Sequence, residues 1–390
     1  MEQETPHFIF KEKVLEKNYK EFERLCEEHI GKYVIAYSIK TNGFGALINK
    51  LHELGSNFEV ASEEEIMKTP VKSKVFNGSC KTEEELQMAI DGRFLINVDS
   101  KSEIDRMASL MDGKEFKISL RVALNQGKFG FAENRLIEII DYCKDKNLKV
   151  IGLSFHVGTQ KALRDFDDHL KGVKRVVNSV INFTNLRYVD IGGGFPDKYQ
   201  MKNLRVKLED FFRLINFNLV EPFKDKSFTI VLEPGRCLVS DAFDLVTRVC
   251  VIKENFTRNY AILDAGINLL SKITLAQYRF EKIENTNKNI KSEVIIKKDG
   301  VKVDSDGNVE NIGGITREMV ADTIGDQSLN SGSGKKDYIL AGPLLFGNDV
   351  IGKFNGNLKE GDLMRVSNVG AYCFNLAWEI SYRKPRVLIE

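Results

Sequence analysis

A lysine followed by two small polar residues, Lys40-Thr41-Asn42, ends an apolar run that begins at Tyr33. An amine in such a place can condense with a carbonyl compound. Further along stand His156-Val157-Gly158-Thr159, Asp190-Ile191-Gly192-Gly193-Gly194 and Glu233-Pro234-Gly235-Arg236. Consecutive glycines remove side chains, so main-chain N–H groups can approach a phosphate. Arg236 would add charge to that anion site, while His156 and Glu233 bring an imidazole and a carboxylate. Glu59 and Arg121 lie in or at the end of other β-prone runs. Each has an ordinary reading. Lys40 alone is a solvated loop lysine, His156 among apolar neighbours a core histidine, Gly192 to Gly194 a tight turn, and Glu233 to Arg236 a turn whose charges pair with each other.

Their place in a repeat sets them apart. Eight runs predict strands: Tyr33 to Ser38, Asn57 to Val60, Lys74 to Phe76, Phe94 to Val98, Lys117 to Val122, Ile151 to Phe155, Arg187 to Ile191 and Phe228 to Leu232. Helix-length segments separate them, among them Ser62 to Lys68, Thr82 to Ala89, Ser102 to Met111, Asn134 to Lys146 and Asp165 to Phe183. A first helix, Lys13 to Cys26, repeats apolar residues at Val14, Leu15, Tyr19, Phe22 and Leu25. This alternation fits an α/β chain with a (β/α)8 barrel over residues 11–240, and a doubly wound open sheet is the competing arrangement. In such a barrel, reactive groups collect at the C-terminal ends of the strands. Lys40, Glu59, Arg121, His156, the glycines and Glu233 all fall there.

After Asp241 the texture changes to a mainly β domain, residues 241–390. Its expected strands are Leu245 to Ile252, Tyr260 to Leu263, Ser292 to Lys297, Val301 to Val303, Asp337 to Leu340, Asp362 to Val366 and Arg386 to Ile389. Phe8-Ile9-Phe10, within residues 1–10, would add a strand to it. Gln327 to Lys336 is polar and rich in glycine and serine, which predicts a mobile loop.

Bulk properties exclude several function classes. A formal net charge of +1 over 390 residues gives no basic excess for a nucleic acid or a membrane surface. Without an eighteen-residue apolar run or a signal peptide, the expected location is the cytoplasm. The six cysteines form no CxxC pair and are expected as reduced thiols. The five histidines show no metal-binding spacing, so no metal is expected.

A lysine, an anion cradle, a ring-face group and a carboxylate together suit pyridoxal 5′-phosphate (PLP). Lys40 would hold its aldehyde, Gly192 to Gly194 and Arg236 its phosphate, His156 its ring face, and Glu233 its pyridine nitrogen. A carboxylate there keeps the nitrogen protonated and favours loss of carbon dioxide from a bound amino acid.

At these residues the chain resembles the PLP-dependent decarboxylases of the alanine-racemase-type fold, the diaminopimelate, ornithine and arginine decarboxylases. The resemblance rests on Tyr37-Ser38-Ile39-Lys40-Thr41-Asn42, Phe58-Glu59-Val60-Ala61-Ser62, Lys128-Phe129-Gly130, Phe155-His156-Val157-Gly158-Thr159, Asp190 to Phe195, Leu232 to Arg236, Gly342-Pro343 and Gly370-Ala371-Tyr372, in that order. It implies that Thr159, Gly192 to Gly194, Gly235, Arg236 and Tyr372 surround the phosphate, and that Glu59 and Arg121 lie near the cofactor. It also implies a homodimer whose active sites are shared, with Lys128 pairing Asp349 across the interface.

The chain departs from that family where substrate is chosen. Leu345 replaces the family's proton-donating cysteine and Phe346 the following acid, and Lys272-Ile273 replaces an arginine-proline that grips a carboxylate. Neither Leu345 nor Phe346 can donate a proton or pair with an ammonium. The expected substrate is therefore a conjugated or non-standard amino acid, such as a citrate-linked diamino acid of siderophore assembly or a carrier-bound amino acid. Cys373, Lys40 or water would return the proton. The alternatives are a decarboxylase of a free basic amino acid, a racemase on the same fold, or a degenerate paralogue.

Overall fold

The structure is a computed structural model that describes residues 4–70, 74–270, 277–283, 335–379 and 381–390. After β1 (His7–Phe10) come β2 (Tyr33–Ser38), β3 (Asn57–Val60), β4 (Lys74–Phe76), β5 (Leu95–Val98) and β6 (Phe116–Ala123). A two-residue β7 (Phe131–Ala132) precedes β8 (Leu148–Ser154), β9 (Tyr188–Asp190) and β10 (Thr229–Leu232). All eight runs expected as barrel strands are strands, with ends shifted by a few residues at most. They pair in parallel in the order β5-β4-β3-β2-β10-β9-β8-β6, and β5 pairs with β6. That last pairing closes the ring and removes the two free edges an open sheet would keep, so the arrangement is a (β/α)8 barrel.

The helix Glu12–His29 shows how the shell is held. Leu15, Tyr19, Phe22, Leu25 and Cys26 recur at three- and four-residue steps, fall on one face, and are buried. Phe22 meets Phe195 and Phe212 edge-on at 5.2 and 5.0 Å between ring centres, and Phe195 stacks on Phe212 at 5.8 Å. Phe195 directly follows the triple glycine, so this cluster anchors that turn. Each such ring pair adds about 0.5–1.5 kcal/mol beyond its buried area. Among the described residues four helices escaped the sequence reading: Gly45–Glu53, Lys198–Leu204, Leu208–Ile215 and the short Arg236–Val239.

A second sheet follows. Its strands are β11 (Phe243–Asn255), β12 (Arg258–Leu263), β13 (Arg279–Lys282), β14 (Lys336–Ala341), β15 (Val350–Gly356), β16 (Leu363–Ser367) and β17 (Val387–Ile389). β13 and β15 were not expected, because three of the four residues of RFEK are charged and VIGKFNG mixes two glycines and an asparagine into its run. The expected strands Ser292 to Lys297 and Val301 to Val303, and residues 327–334 of the expected loop, lie outside the described residues. β1 pairs antiparallel with β11 and parallel with β17. Phe10 stacks on Phe243 at 4.9 Å and meets Phe44 edge-on at 5.8 Å, which ties this sheet to the first barrel crossover. All six cysteines are free.

Candidate active site

A short 3-10 turn, Ile39–Thr41, carries Lys40 over the barrel rim after β2. Its Nζ donates to Glu59 Oε2 at 2.8 Å, and Ser38 Oγ donates to the same oxygen at 2.5 Å. Glu59 lies on β3 and is buried. Burial alone would raise its carboxyl, but the Lys40 charge and the donors from Lys40, Ser38 and Asn77 hold it at about 2. For Lys40 the balance also favours charge. Burial pulls the amine down, and the Glu59 and Glu233 carboxyls outweigh it, so it titrates above the usual lysine range.

Across the barrel, Glu233 follows β10 and is buried. Burial first, then the nearby Asp190 and Glu59, push its carboxyl well above the ordinary range. Asp190, at the end of β9, accepts from Gly192 N at 2.9 Å, Asn97 Nδ2 at 2.9 Å and Ser154 Oγ at 3.2 Å. Asn77 Nδ2 links Glu59 and Glu233, at 3.0 and 2.6 Å.

The glycine turn is shaped by close approach. Gly192 and Gly194 have φ of +72° and +93°, which favours glycine. A Cβ on Gly193 would stand 2.6 Å from the Glu233 main-chain oxygen, and one on Gly194 2.3 Å from Val157 Cγ1. Gly193 N donates to His156 Nδ1 at 3.4 Å. Desolvation of the His156 ring first, then the Lys40 and Arg121 charges, lower its imidazole to about 3, so it is neutral. Beside the turn, Arg236 Nε donates to Thr159 Oγ1 at 3.0 Å, and its guanidinium lies 4.7 Å from the centre of the Tyr372 ring.

The pocket at this rim is lined by Lys40, His156, Thr159, Gly193, Gly194, Glu233, Gly235, Arg236 and Tyr372, all singled out from the sequence. A larger cleft of about 460 Å³ lies at the opposite rim, and Lys226 is its only titratable group. Arg121 sits behind the pocket, its Nη1 3.4 Å from Ser154 Oγ. Cys373 does not line the pocket. It is fully buried, with Sγ 3.3 Å from the Tyr278 hydroxyl. Asp349 does not face outward toward Lys128. It is 3% exposed, and its oxygens accept Ile267 N and Leu344 N, each at 2.8 Å. Lys128 is exposed, 4.9 Å from the Phe129 ring centre. Leu345 and Phe346 are exposed, outside the pocket lining. Lys272 lies outside the described residues. Among the described residues no group of side chains could hold a metal ion, and no helix is long and apolar enough to cross a membrane.

Ser38, Asn77 and Asn97 were missed. Asn77 directly follows β4 and Asn97 lies near the end of β5, so the rim position that exposed the others would have found them too.

The donor set fits PLP. An amine lies beside a fixed carboxylate, a buried carboxyl and a neutral imidazole line the same pocket, and a glycine turn with no room for Cβ atoms stands next to an arginine. We expect Gly193→Ala to force the turn away from Glu233, because the obstructing atom is main chain. Equilibrium dialysis should then show PLP affinity reduced about tenfold or more, the loss of roughly one main-chain hydrogen bond.

Residues 14–240, more than half of the chain, match the family described as pyridoxal-dependent decarboxylase, pyridoxal binding domain. The chain is 28% identical over 291 residues to diaminopimelate decarboxylase of Aquifex aeolicus, covering 68% of this chain and 67% of that one. Its fold is similar to that of diaminopimelate decarboxylase from Helicobacter pylori complexed with L-lysine, with a TM-score of 0.80, 22% identity, and coverage of 100% and 92%. It is similar also to lysine/ornithine decarboxylase from Vibrio vulnificus complexed with cadaverine, with a TM-score of 0.78, 20% identity, and coverage of 99% and 94%. The closed barrel, the Lys40 pocket and the family match lead to one conclusion: the chain belongs to the pyridoxal-dependent decarboxylases and is a PLP-dependent amino-acid decarboxylase.

Proposed function

We propose that the substrate is a conjugated or non-standard amino acid whose distal end carries no free ammonium, such as a citrate-linked diamino acid or a carrier-bound one. The carrying observation is the loop tip after Gly342-Pro343. Leu345 is fully exposed there, and Phe346 packs at 6.0 Å on the ring of Trp378, itself partly exposed. An ammonium buried against these groups would lose water and gain no partner. Because Leu345 does not line its own chain's pocket, the working unit we infer is a homodimer in which this tip reaches the other copy's site. Three large apolar side chains exposed together support that pairing.

When bound, PLP supplies an electron-accepting ring that lets the substrate's carboxylate leave as carbon dioxide. Lys40 would hold it through its amine. Glu233 would engage the ring nitrogen, and neutral His156 would lie on the ring face. The amides of Gly193 and Gly194, with Arg236, Thr159 and Tyr372, would hold the phosphate. With Cys373 buried and Leu345 aprotic, Lys40 backed by Glu59 is the acid nearest to hand for returning a proton to the α carbon.

The alternative, a free basic amino acid, is supported by the names of the matched relatives, which are diaminopimelate and lysine/ornithine decarboxylases. Carbon dioxide release from PLP-loaded protein, against free basic and citrate-conjugated amino acids, decides between them. Release from conjugates alone is expected. Efficient release from free lysine, ornithine or diaminopimelate would reverse the substrate assignment and leave the chemistry standing.

A further inference from the structure

The phosphate side of the pocket is assembled from two loops that follow different strands. One, after β8, carries Thr159, and the other is the glycine turn after β9. Among the described residues, two main-chain hydrogen bonds join these loops. They run from Phe155 N to Asp190 O at 2.8 Å and from Lys161 N to Gly194 O at 3.2 Å. Thr159 hangs between them.

The glycine turn is the fixed side. Phe195 packs with Phe22 and Phe212, and Asp197, 1% exposed, caps the helix Lys198–Leu204. Asp197 Oδ1 accepts Tyr199 N at 2.9 Å and Gln200 N at 3.0 Å. Gln160 ties the other loop to this anchor. Its Nε2 donates to Asp197 Oδ2 at 2.6 Å, and its Oε1 accepts Asp197 N at 2.9 Å. The amide has one workable orientation. Turned round, its NH2 group would face a main-chain N–H and its oxygen a carboxylate. The Gln160 backbone is left-handed, with φ of +53°, a conformation that persists where the surroundings impose it. The preceding residue, Thr159, accepts Arg236 Nε at 3.0 Å. Gln160 thus sets the place of Thr159, and Thr159 helps aim the Arg236 guanidinium.

We propose that Gln160 is a positioning residue: its two reciprocal hydrogen bonds to Asp197 hold the Thr159 loop against the glycine turn and so fix the cradle for the PLP phosphate. It acts through Thr159 and Arg236 and touches neither substrate nor cofactor. This role rests on the reading of Thr159, Gly193, Gly194 and Arg236 as the phosphate site.

The test titrates full-length apoprotein with PLP and with pyridoxal, which lacks the phosphate, following the absorbance of the bound ligand. Gln160→Glu sets a carboxylate against that of Asp197. Its PLP affinity should fall about tenfold or more, with pyridoxal affinity within about threefold of wild type. Combining Gln160→Glu with Asp197→Asn exchanges donor and acceptor. The new amide at position 197 still caps its helix and donates to the new carboxylate at position 160, which still accepts the main-chain N–H. This double variant should bind PLP within about threefold of wild type. Arg236→Met reports on the phosphate site itself and should also lose about tenfold or more for PLP alone. Equal losses for both ligands in Gln160→Glu would show a contact that holds the fold and overturn the proposal. Unchanged PLP affinity in that variant, or a double variant no better than the single one, would overturn it as well. Selective loss in Arg236→Met alone would remove the clamp and leave the phosphate site standing. No selective loss in Arg236→Met would remove both.

Discussion

Lys40→Ala protein is expected to show no absorbance of covalently held PLP and to release carbon dioxide at least about a thousandfold more slowly than wild type. The effect has two parts. The amine that holds the cofactor is gone, and so is the charge that keeps Glu59 ionised inside the barrel. Without Lys40 the burial of Glu59 dominates and its carboxyl rises toward protonation. Lys40→Arg separates the parts, because a guanidinium restores the partner of Glu59 without an amine able to bond to the cofactor. We expect that variant to recover thermal stability but not the absorbance band. An absorbance spectrum and a melting curve on both variants check this, and a covalent PLP band in Lys40→Ala would refute the assignment of the anchoring residue.

The second large effect lies under the rim. Lys81 is buried with its side chain wholly enclosed, and its Nζ donates to Gly78 O at 2.7 Å, Asn97 O at 2.9 Å and Glu103 Oε1 at 2.8 Å. Glu103 in turn accepts Asp99 N at 3.1 Å. Burial pulls Lys81 below the usual lysine range and lifts Glu103 above the usual carboxylate range, despite their attraction. Desolvation therefore outweighs the pairing at each partner, and the two are stable only together. Lys81→Met leaves Glu103 buried without a cation and should destabilise the fold by about 3–5 kcal/mol. The double variant Lys81→Met with Glu103→Leu removes both charges and should recover most of that loss. Denaturant unfolding of the two proteins measures the difference, and equal stability of single and double variants would contradict this account. Because Lys81 joins the ends of β4 and β5, the single variant should also loosen Asn77 and Asn97, which the double variant would not fully restore.

Legibility in the sequence followed burial and motif. All eight barrel strands were found because each is a short apolar or β-branched run between helix-length segments. The pocket was found because lysine, histidine and glutamate are conspicuous after such runs. Asn77, Asn97 and Lys81 were not, because asparagine and lysine near Gly78 look like turn chemistry, and only the closed barrel brings the ends of β4 and β5 across from those of β9 and β10. The surroundings of Cys373 and Asp349 were not legible for a related reason. A residue type states what a side chain can do, and the surrounding packing decides whether it is exposed to do it. The thiol of Cys373 is enclosed beside Tyr278, and the carboxylate of Asp349 is held by two main-chain amides.

The placement of β1 between β11 and β17 has a consequence for how the chain is made. Phe8, Ile9 and Phe10 leave the ribosome long before residue 243, and longer still before residue 387. At about 5–20 residues per second, the interval from β1 to β17 is on the order of 20–75 s. Until β11 is made, about 12–47 s in, the nascent chain carries an apolar strand with neither neighbour in place, and until β17 is made one edge stays unpaired, the kind of edge that pairs with other chains. The barrel can close before that wait ends, since its strands span Tyr33 to Leu232. Barrel closure thus needs nothing made later, while the β1 edge stays exposed to misassembly until the C-terminal strands are made.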